Sequence, residues 1–483
     1  MTVARLVFAA LLLAACSDPA DEDTSSVADS TSAVDDAGDD DDDDATGDDD
    51  DDDDDTGPDD DDDDDDDTGP DDDDDDDTTG TAGTTGDAPC EDNDDCPNPD
   101  APFCLNTGTC GPCGDTASPD GSCLTEFPET PVCVDDECVE CDAEDASACE
   151  DANEVCDDNT NECVPCTAHA QCAGPAGCDI PGGQCGDEAN VWYVDGGHKI
   201  CPTSGNGLSE DDPFCTLDEA LGAVDALEDG TVATVYVAAM GAPYFETPVI
   251  ESGQIVLLLA SDADSPPNVQ GSGSPTIRVQ TGGTLVLDHI TVSGNTGDEG
   301  ISSTNALLHV EGSSISLNNG SGIVMNGGEL TLINSFIASN GDNLSGTTAL
   351  DLTSVNATVL YSSLVNNDGN GAQSLLCTDP GETELRNSIV TSADGDSIDC
   401  PGATIENNAV DSEIGGSNVD VGAVDGAWFV AAGSGDLHLT AAGTALFGDI
   451  AEWATDDPSS DIDGDLRPVI NGSEDVAGAD VPD

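Results

Sequence analysis

The sequence predicts an all-β protein whose largest domain is a solenoid, preceded by a disulfide-rich module and a disordered acidic linker. In residues 190–483, short β-rich stretches recur every 22–27 residues, with Gly, Asn and Ser turns between them. A β-rich repeat of this length is typical of a solenoid. Residues 90–185 contain 16 of the 21 cysteines, and residues 16–89 are rich in Asp tracts. These features define three segments, and residues 1–15 form a fourth, a signal peptide.

Residues 1–15 have the features of an export signal, because Arg5 precedes a short apolar run that closes on small residues. The run is too short to cross a hydrocarbon core of about 30 Å, which disfavours a transmembrane anchor. Cys16 follows directly, and the segment resembles the lipobox of bacterial lipoproteins. That resemblance implies lipidation of Cys16 and a membrane partner through the lipid. We expect anchoring in the cell envelope, at the outer membrane and cell surface, with simple secretion as the alternative.

The linker, residues 16–89, carries four Asp tracts and no apolar face. Such a segment cannot offset the entropy of ordering, so we expect a disordered, self-repelling stalk. Diffuse calcium binding by its carboxylates is the alternative function. The whole chain has a formal charge of -102, with five Lys and Arg in total. Nucleic-acid binding needs clustered basic residues, so nucleic acid is excluded as a partner.

The module of residues 90–185 repeats a unit of four cysteines four times. An even cysteine count in an exported chain predicts disulfides, whose connectivity the sequence leaves open. Cys-x2-Cys junctions also occur in zinc sites, but this segment has one histidine, His169. The pattern is similar to the short Cys-rich repeats of the Dickkopf N-terminal type. That resemblance implies a spacer or a protein contact.

The solenoid is predicted from apolar anchors that recur 25, 22, 27 and 25 residues apart. An Asn follows three of these anchors by three residues, at positions 318, 340 and 367. Stacked Asn side chains at one corner would hydrogen-bond between coils. The anchors are Ile290, Ile315, Ile337, Leu364 and Ile389.

A helix is predicted at the start of the solenoid. Thr216 and Glu219 form a capping-box pattern, apolar residues then follow with helical spacing, and Gly230 can end the helix. A helix at this place would cover the open edge of the first coil, which would otherwise favour aggregation.

The Trp192–Asp195 segment, the Asp212–Thr216 segment, the helix and the coils together resemble right-handed parallel β-helix proteins of the pectin-lyase type. Asp461–Pro468 is similar to the C-terminal end of many such surface proteins. The resemblance implies a right-handed parallel β-helix and, for some members, polysaccharide cleavage. Two disulfides fit this fold: one across adjacent coils and one in a loop before the helix. They would join Cys377 to Cys400 and Cys201 to Cys215.

A calcium site is the one cofactor that the sequence suggests. Asp461, Asp463 and Asp465 alternate around Gly464, as in calcium-binding loops. The Glu that would complete an EF-hand loop is replaced by Gly472, so a solvated turn is the alternative.

Catalytic residues are not evident. The lyases of this family use a basic residue, and the coils contain Arg278 and Arg386 without a recognisable motif. The hydrolases use paired carboxylates, and the available Asp residues do not converge in spacing. The Asp288–His289 pair is interpreted as a turn-facing polar pair. The Asp residues considered as hydrolase carboxylates are Asp288, Asp351 and Asp368. His309 and His438 are interpreted as ordinary strand positions.

The function expected from these features is that of a cell-surface lipoprotein that displays a β-helix for binding or adhesion, to a carbohydrate or to a surface protein. The alternative is a polysaccharide lyase or glycoside hydrolase, supported by the fold resemblance alone.

Overall fold

A computed structural model provides the fold, and all its described residues belong to one compact unit, Gly83–Asp483. The predicted signal peptide, lipidated Cys16 and acidic linker lie outside the described residues and stay predictions. Within the part of the chain that is described, no helix has the length and apolarity to cross a membrane. The described residues are 90, 93–96, 98, 101–107, 109–201, 203–341, 347–367, 373–392 and 397–482.

The disulfide module is built from four small units, each with a two-stranded antiparallel hairpin. In every unit the first cysteine bonds to the third and the second bonds to the fourth, for example Cys141 to Cys156 and Cys149 to Cys163. All twenty cysteines of the described chain form disulfides, including Cys201–Cys215 and Cys377–Cys400. The hairpins pair Phe103–Cys104 with Cys110–Gly111, Val132–Val134 with Glu137–Val139, Val155–Asp157 with Glu162–Val164, and Cys178–Asp179 with Gln184–Cys185.

Short helices complete the module and lead into the next domain. Two are α-helical, Pro119–Glu126 and Ser147–Asp151, and each buries one cysteine, Cys123 and Cys149. The 3-10 turns are Asn93–Asp95, Cys113–Asp115, His169–Gln171 and Glu188–Asn190.

The solenoid has about seven turns of parallel strands, which confirms the predicted fold class. Each coil contributes to two sheets, one of thirteen strands and one of eight, and the continuous apolar core lies between them. The thirteen-stranded sheet contains Val191–Val194, Val232–Val237, Val249–Ile250, Ile255–Ala260, Ile277–Val279, Thr284–Asp288, Ile301–Glu311, Ile323–Ile333, Leu350–Leu360, Leu375–Thr378, Thr383–Arg386, Ile398–Asp399 and Thr404–Glu406. The eight-stranded sheet contains Asn268–Val269, Thr291–Ser293, Ser314–Ser316, Phe336–Ala338, Ser363–Val365, Ile389–Thr391, Ala409–Val410 and Val419–Asp420.

The register confirms three of the five predicted anchors and corrects the other two. Ile315, Ile337 and Leu364 lie side by side, and the strands continue this row with Val292 and Val390. Ile290 and Ile389 lie outside this row, although both are fully buried. Ile389 pairs with Ser363 on the opposite face of the sheet, where a second apolar cluster covers it. Apolarity alone therefore could not distinguish the two faces.

The predicted Asn ladder is confirmed. Asn318 Nδ2 donates to Asn340 Oδ1 and Asn340 Nδ2 donates to Asn367 Oδ1, each at 3.0 Å. The ladder extends to Asn295, whose backbone N–H donates to Asn318 Oδ1 at 3.1 Å.

A second ladder of hydroxyl groups, which the sequence does not predict, runs along another corner. Backbone N–H groups of Ser313, Ser335 and Ser362 each donate to the Ser Oγ of the next coil, at 3.1–3.3 Å. Both ladders pair polar groups that would otherwise be buried without partners.

The predicted cap helix is present as Leu217–Val224, with Thr216 Oγ1 accepting from the Glu219 N–H at 3.2 Å. Its apolar face packs into the solenoid core beside the first strand. The helix ends at Val224, before Gly230, because the chain continues in tighter turns closed by i→i+3 hydrogen bonds. Gly230 has a φ of 81°, and this left-handed backbone conformation lies in the loop after the helix.

Residues 426–482, called the C-terminal region below, fold back on the outer face of the eight-stranded sheet. Phe336 and Tyr361 of the coils share a buried cluster with Phe429, Phe447 and Trp453 of this region. The region contains the hairpins Phe429–Ala431 with Asp436–Leu439 and Ala451–Trp453 with Ser473–Asp475, the helix Ala441–Phe447, and the 3-10 turns Gly426–Trp428 and Ala432–Ser434.

Candidate binding cleft

A cleft of about 370 Å³ separates the first coils of the eight-stranded sheet from the C-terminal region; we call it the C-terminal cleft. Its floor is formed by outward-facing hydroxyl residues of two adjacent strands, where Thr291 pairs with Ser314 and Ser293 with Ser316. Alternation in a strand turns Val292 inward while its neighbours face out. In the next coil the outward residue is Phe336, and from there the C-terminal region covers the face. Where that cover is missing, Thr291 and Ser314 are half-buried at the floor of the cleft, and Ser293 and Ser316 are buried beneath them.

His438 lies on the C-terminal side of this cleft between two carboxylates. Asp436 and His438 alternate along one strand and so face the same way. Asp436 Oδ1 is 2.6 Å from His438 Nδ1, and Asp463 Oδ2 is 3.0 Å from Nε2. The ring also packs edge-on against Phe336, with 5.0 Å between centroids. Both ring nitrogens thus face acceptors, and the imidazole has a fixed orientation.

The acidic surroundings alter the protonation of this cluster. Burial lowers the pKa of His438, but the Asp436 hydrogen bond and the charges of Asp463 and Asp480 outweigh it and raise the pKa above its ordinary value. Burial raises the pKa of Asp480 to about 6, although the Leu439 N–H and the His438 charge oppose this. Negative charge is therefore in excess at this end of the cleft.

His289 lies on the coil side of the cleft and forms an ion pair with Asp288. Burial lowers the pKa of His289, but the hydrogen bond and charge of Asp288 outweigh it and raise the pKa. His289 has a φ of 55° at the corner, and the next coil places Gly312 against it. A Cβ at Gly312 would lie 2.7 Å from the His289 ring, so this position requires glycine. The predicted polar pair exists and contributes to the cleft.

The three Asp residues predicted to bind calcium do not converge on one point. Asp461 Oδ1 accepts from the Asp463 and Asp465 N–H groups, at 3.0 and 2.8 Å, and its Oδ2 accepts from the Val481 N–H at 2.6 Å. Asp461 thus organises the turn, whereas the Asp463 side chain faces His438. Calcium binding at these residues stays a prediction.

The other candidates are separated from the cleft. Arg386 forms a bidentate ion pair with the buried Asp457, at 2.7 and 2.5 Å, and joins the C-terminal region to the coils. Arg278 is exposed in strand Ile277–Val279. Asp351 is half-buried on the thirteen-stranded sheet, and Asp368 lies outside the described residues.

Sequence reasoning misses His438 as a site residue, because the residue stands alone in a strand-like run and has the spacing of an ordinary strand position. Its partners Asp463 and Asp480 are distant in the chain and approach only when the C-terminal region folds. The Asp436-x-His438 alternation was the one local indication. His309 is buried beside Glu311, with 3.4 Å between Nε2 and Oε2.

A family model described as a family of unknown function (DUF8331) matches residues 76–191. The match covers less than half of the chain, includes the disulfide module, and ends before the cleft. No curated protein matches the chain.

Proposed function

We propose that this chain is a lipid-anchored cell-surface protein whose acidic linker and disulfide module display a pectin-lyase-like β-helix for binding. Cys16 after the export signal supports the anchor. The Asp tracts support an extended linker, since like charges repel. The parallel coils and the cap helix support the pectin-lyase-like assignment.

The C-terminal cleft is the proposed binding site, and its hydroxyl-lined floor is the observation that supports it most. The half-buried Thr291 and Ser314 hydroxyl groups can both donate and accept hydrogen bonds, and this suits a carbohydrate. The cleft is also lined by Asp264, Asp436 and Asp463, whereas no Lys or Arg lines it among the described residues. We therefore propose a neutral or amine-bearing glycan as the ligand.

Polysaccharide cleavage is the second candidate. General acid–base chemistry uses a carboxyl group with a raised pKa beside a second carboxyl group. Burial raises the pKa of Asp480 to about 6, and Asp463 lies beside it. Asp480 is 5% exposed, however, so a substrate would have to reach it past His438.

Size-exclusion chromatography of neutral, amine-bearing and anionic polysaccharides, after incubation with the full chain, tests both candidates. We expect neutral or amine-bearing chains to co-elute with the protein at unchanged length. The variant Ser314→Tyr should abolish co-elution by filling the cleft. Thr358→Tyr, on the outer face of the other sheet, is the matched control and should bind as the wild type does.

Two results would overturn the binding proposal. One is equal co-elution with the wild type and Ser314→Tyr, which would place the ligand elsewhere. The other is shortened polysaccharide, which would establish the enzyme instead.

A further inference from the structure

Three side chains at the C-terminal cleft have the arrangement of metal ligands. One ligand atom each from His438, Asp463 and Asp480 lies within 4.8 Å of the other two. The other such groups in the described chain consist of cysteines, and all of those cysteines are in disulfides. Among the described residues, this cluster is therefore the one such group whose ligand atoms are not consumed in disulfides.

We propose that His438, Asp463 and Asp480 bind a divalent transition-metal ion of the zinc class. Asp480 is 5% exposed, and one of its carboxylate oxygens accepts the Leu439 N–H at 2.6 Å. A ligand atom of this carboxylate lies within 4.8 Å of ligand atoms of His438 and Asp463. A cation between the two carboxylates would offset the cost of placing them together in a partly buried site, and a metal ion would supply it.

The geometry between the two exposed ligands already suits a metal. Two ligands about 2.0–2.1 Å from a tetrahedral zinc ion are about 3.3 Å apart. His438 Nε2 and Asp463 Oδ2 are separated by 3.0 Å, so a small adjustment would admit the ion. Asp480 would supply the third ligand from the protein interior.

Asp436 orients the histidine for this role. Asp436 Oδ1 lies 2.6 Å from His438 Nδ1, and this contact directs His438 Nε2 towards Asp463. A carboxylate on the distal nitrogen of a ligating histidine is the usual outer-shell arrangement in metal sites, because it fixes both the tautomer and the ring. Asp436 is thus a positioning residue and not a ligand.

The ligand set also indicates which ion binds. One imidazole nitrogen with two carboxylates favours zinc or a similar ion over calcium, which prefers six or more oxygen ligands. Three protein ligands leave a fourth position, and it would face the cleft, because the His438 and Asp463 side chains are 38% and 52% exposed. The inference goes beyond the proposed function, since the ion can bind whether or not a glycan does.

The test is a zinc titration of the full chain against a chromophoric chelator, in excess calcium to occupy the Asp tracts. We expect one zinc equivalent that resists calcium. Asp463→Asn should weaken it about tenfold or more, and its exposed side chain makes loss of folding unexpected. His438→Ala should abolish the site, and His198→Ala, outside the cleft, should bind zinc as the wild type does. X-ray absorption of the zinc complex should show one imidazole ligand.

Equal zinc affinity in the wild type, Asp463→Asn and His438→Ala would overturn the proposal, because zinc would then be held by other carboxylates. An X-ray absorption spectrum of the zinc complex without an imidazole ligand would also overturn the proposal. So would complete displacement of the zinc by calcium. Neither result depends on glycan binding, so failure here is distinguishable from failure of the proposed function.

Discussion

The disulfide module and the solenoid reach stability by opposite means. The module has eight disulfides and small buried clusters, and one of these consists of Val155 and four cysteines. The solenoid region has two disulfides, and its largest core cluster extends from Trp192 to Cys400. The repeated coils of the solenoid bury a continuous core, so the solenoid needs few disulfides. The disulfide module lacks such a core, and its disulfides stabilise it by constraining the unfolded chain.

Reduction of the disulfides should separate the two regions most clearly. Each disulfide lost from a small secreted domain costs typically about 2–5 kcal/mol of unfolding free energy, so the module should unfold under reductant while the coils stay folded. Hydrogen exchange with and without reductant measures this. Amides of strand Val155–Asp157 should lose protection, and those of strand Ile323–Ile333 should keep it. Equal loss in both strands would contradict the comparison.

Arg467→Ala should be the most destabilising single substitution in the C-terminal region. The guanidinium is fully buried, 3.3 Å from Asp475, and its Cζ lies 4.0 Å from the centre of the Tyr361 ring. Its removal leaves Asp475 buried and unpaired, which costs about 3–5 kcal/mol. Urea unfolding followed by tryptophan fluorescence measures the change, since Trp428 and Trp453 report on this region. Arg278→Ala, at an exposed position, is the control, and an equal effect there would refute the assignment.

Asn340→Ala should destabilise the solenoid by a smaller amount. Asn340 is fully buried, donates to Ile315 O at 2.9 Å, and accepts from Asn318 in the preceding coil. Each polar group left without a partner costs about 1–3 kcal/mol. Thermal unfolding under oxidising conditions measures the loss. Asn319→Ala removes a half-buried Asn whose side chain donates one hydrogen bond, to Thr296 O at 2.7 Å, and it should have a smaller effect. An equal loss in both variants would contradict a special role for the ladder.

The smallest expected effect concerns the contact between the two regions. His169 of the module accepts the Cys178 N–H at Nδ1, at 3.0 Å, and its Nε2 is buried 3.9 Å from Asp288 of the solenoid. Burial lowers the pKa of His169; the charges of Asp288 and Glu311 oppose this, and those of His309 and His289 add to it.

Because the folded pKa of His169 is lowered, its stabilising contribution is complete above the unfolded value of about 6.5 and is lost as the pH falls below it. Exchange of the Gly177 amide, which donates to Thr234 Oγ1 across this contact at 2.9 Å, should therefore accelerate between about pH 7 and about pH 5 relative to other module amides. In His169→Gln the pH dependence should disappear. A dependence retained in that variant would assign the effect to another group.

The coils could be predicted where one face alone is apolar. Ile315, Ile337 and Leu364 were found because inward residues repeat. Ile389 was misplaced because the C-terminal region buries the outer face as well. The Ser ladder escaped notice because Ser is common in turns and gave no distinct pattern.

The disulfide connectivity within residues 90–185 and the cleft could not be predicted, for a different reason. A cysteine spacing is compatible with several pairings, and three-dimensional contact selects one of them. His438 meets Asp463 and Asp480 through long-range folding that no local period encodes. The Asp461 turn did attract notice, but its carboxylate is occupied by backbone N–H groups.

The C-terminal region also restricts how the protein can change over evolution. It contacts successive coils at fixed points: Ser460 O accepts from Asn334, the Ala479 N–H donates to Ser363, and the Gly478 N–H donates to Asn387 O. Loss or duplication of a coil between Asn334 and Asn387 would shift these points relative to one another by about 4.8 Å, and the three contacts could not all form. A free solenoid can vary its repeat number at any coil, whereas this one must keep the number of coils within that span.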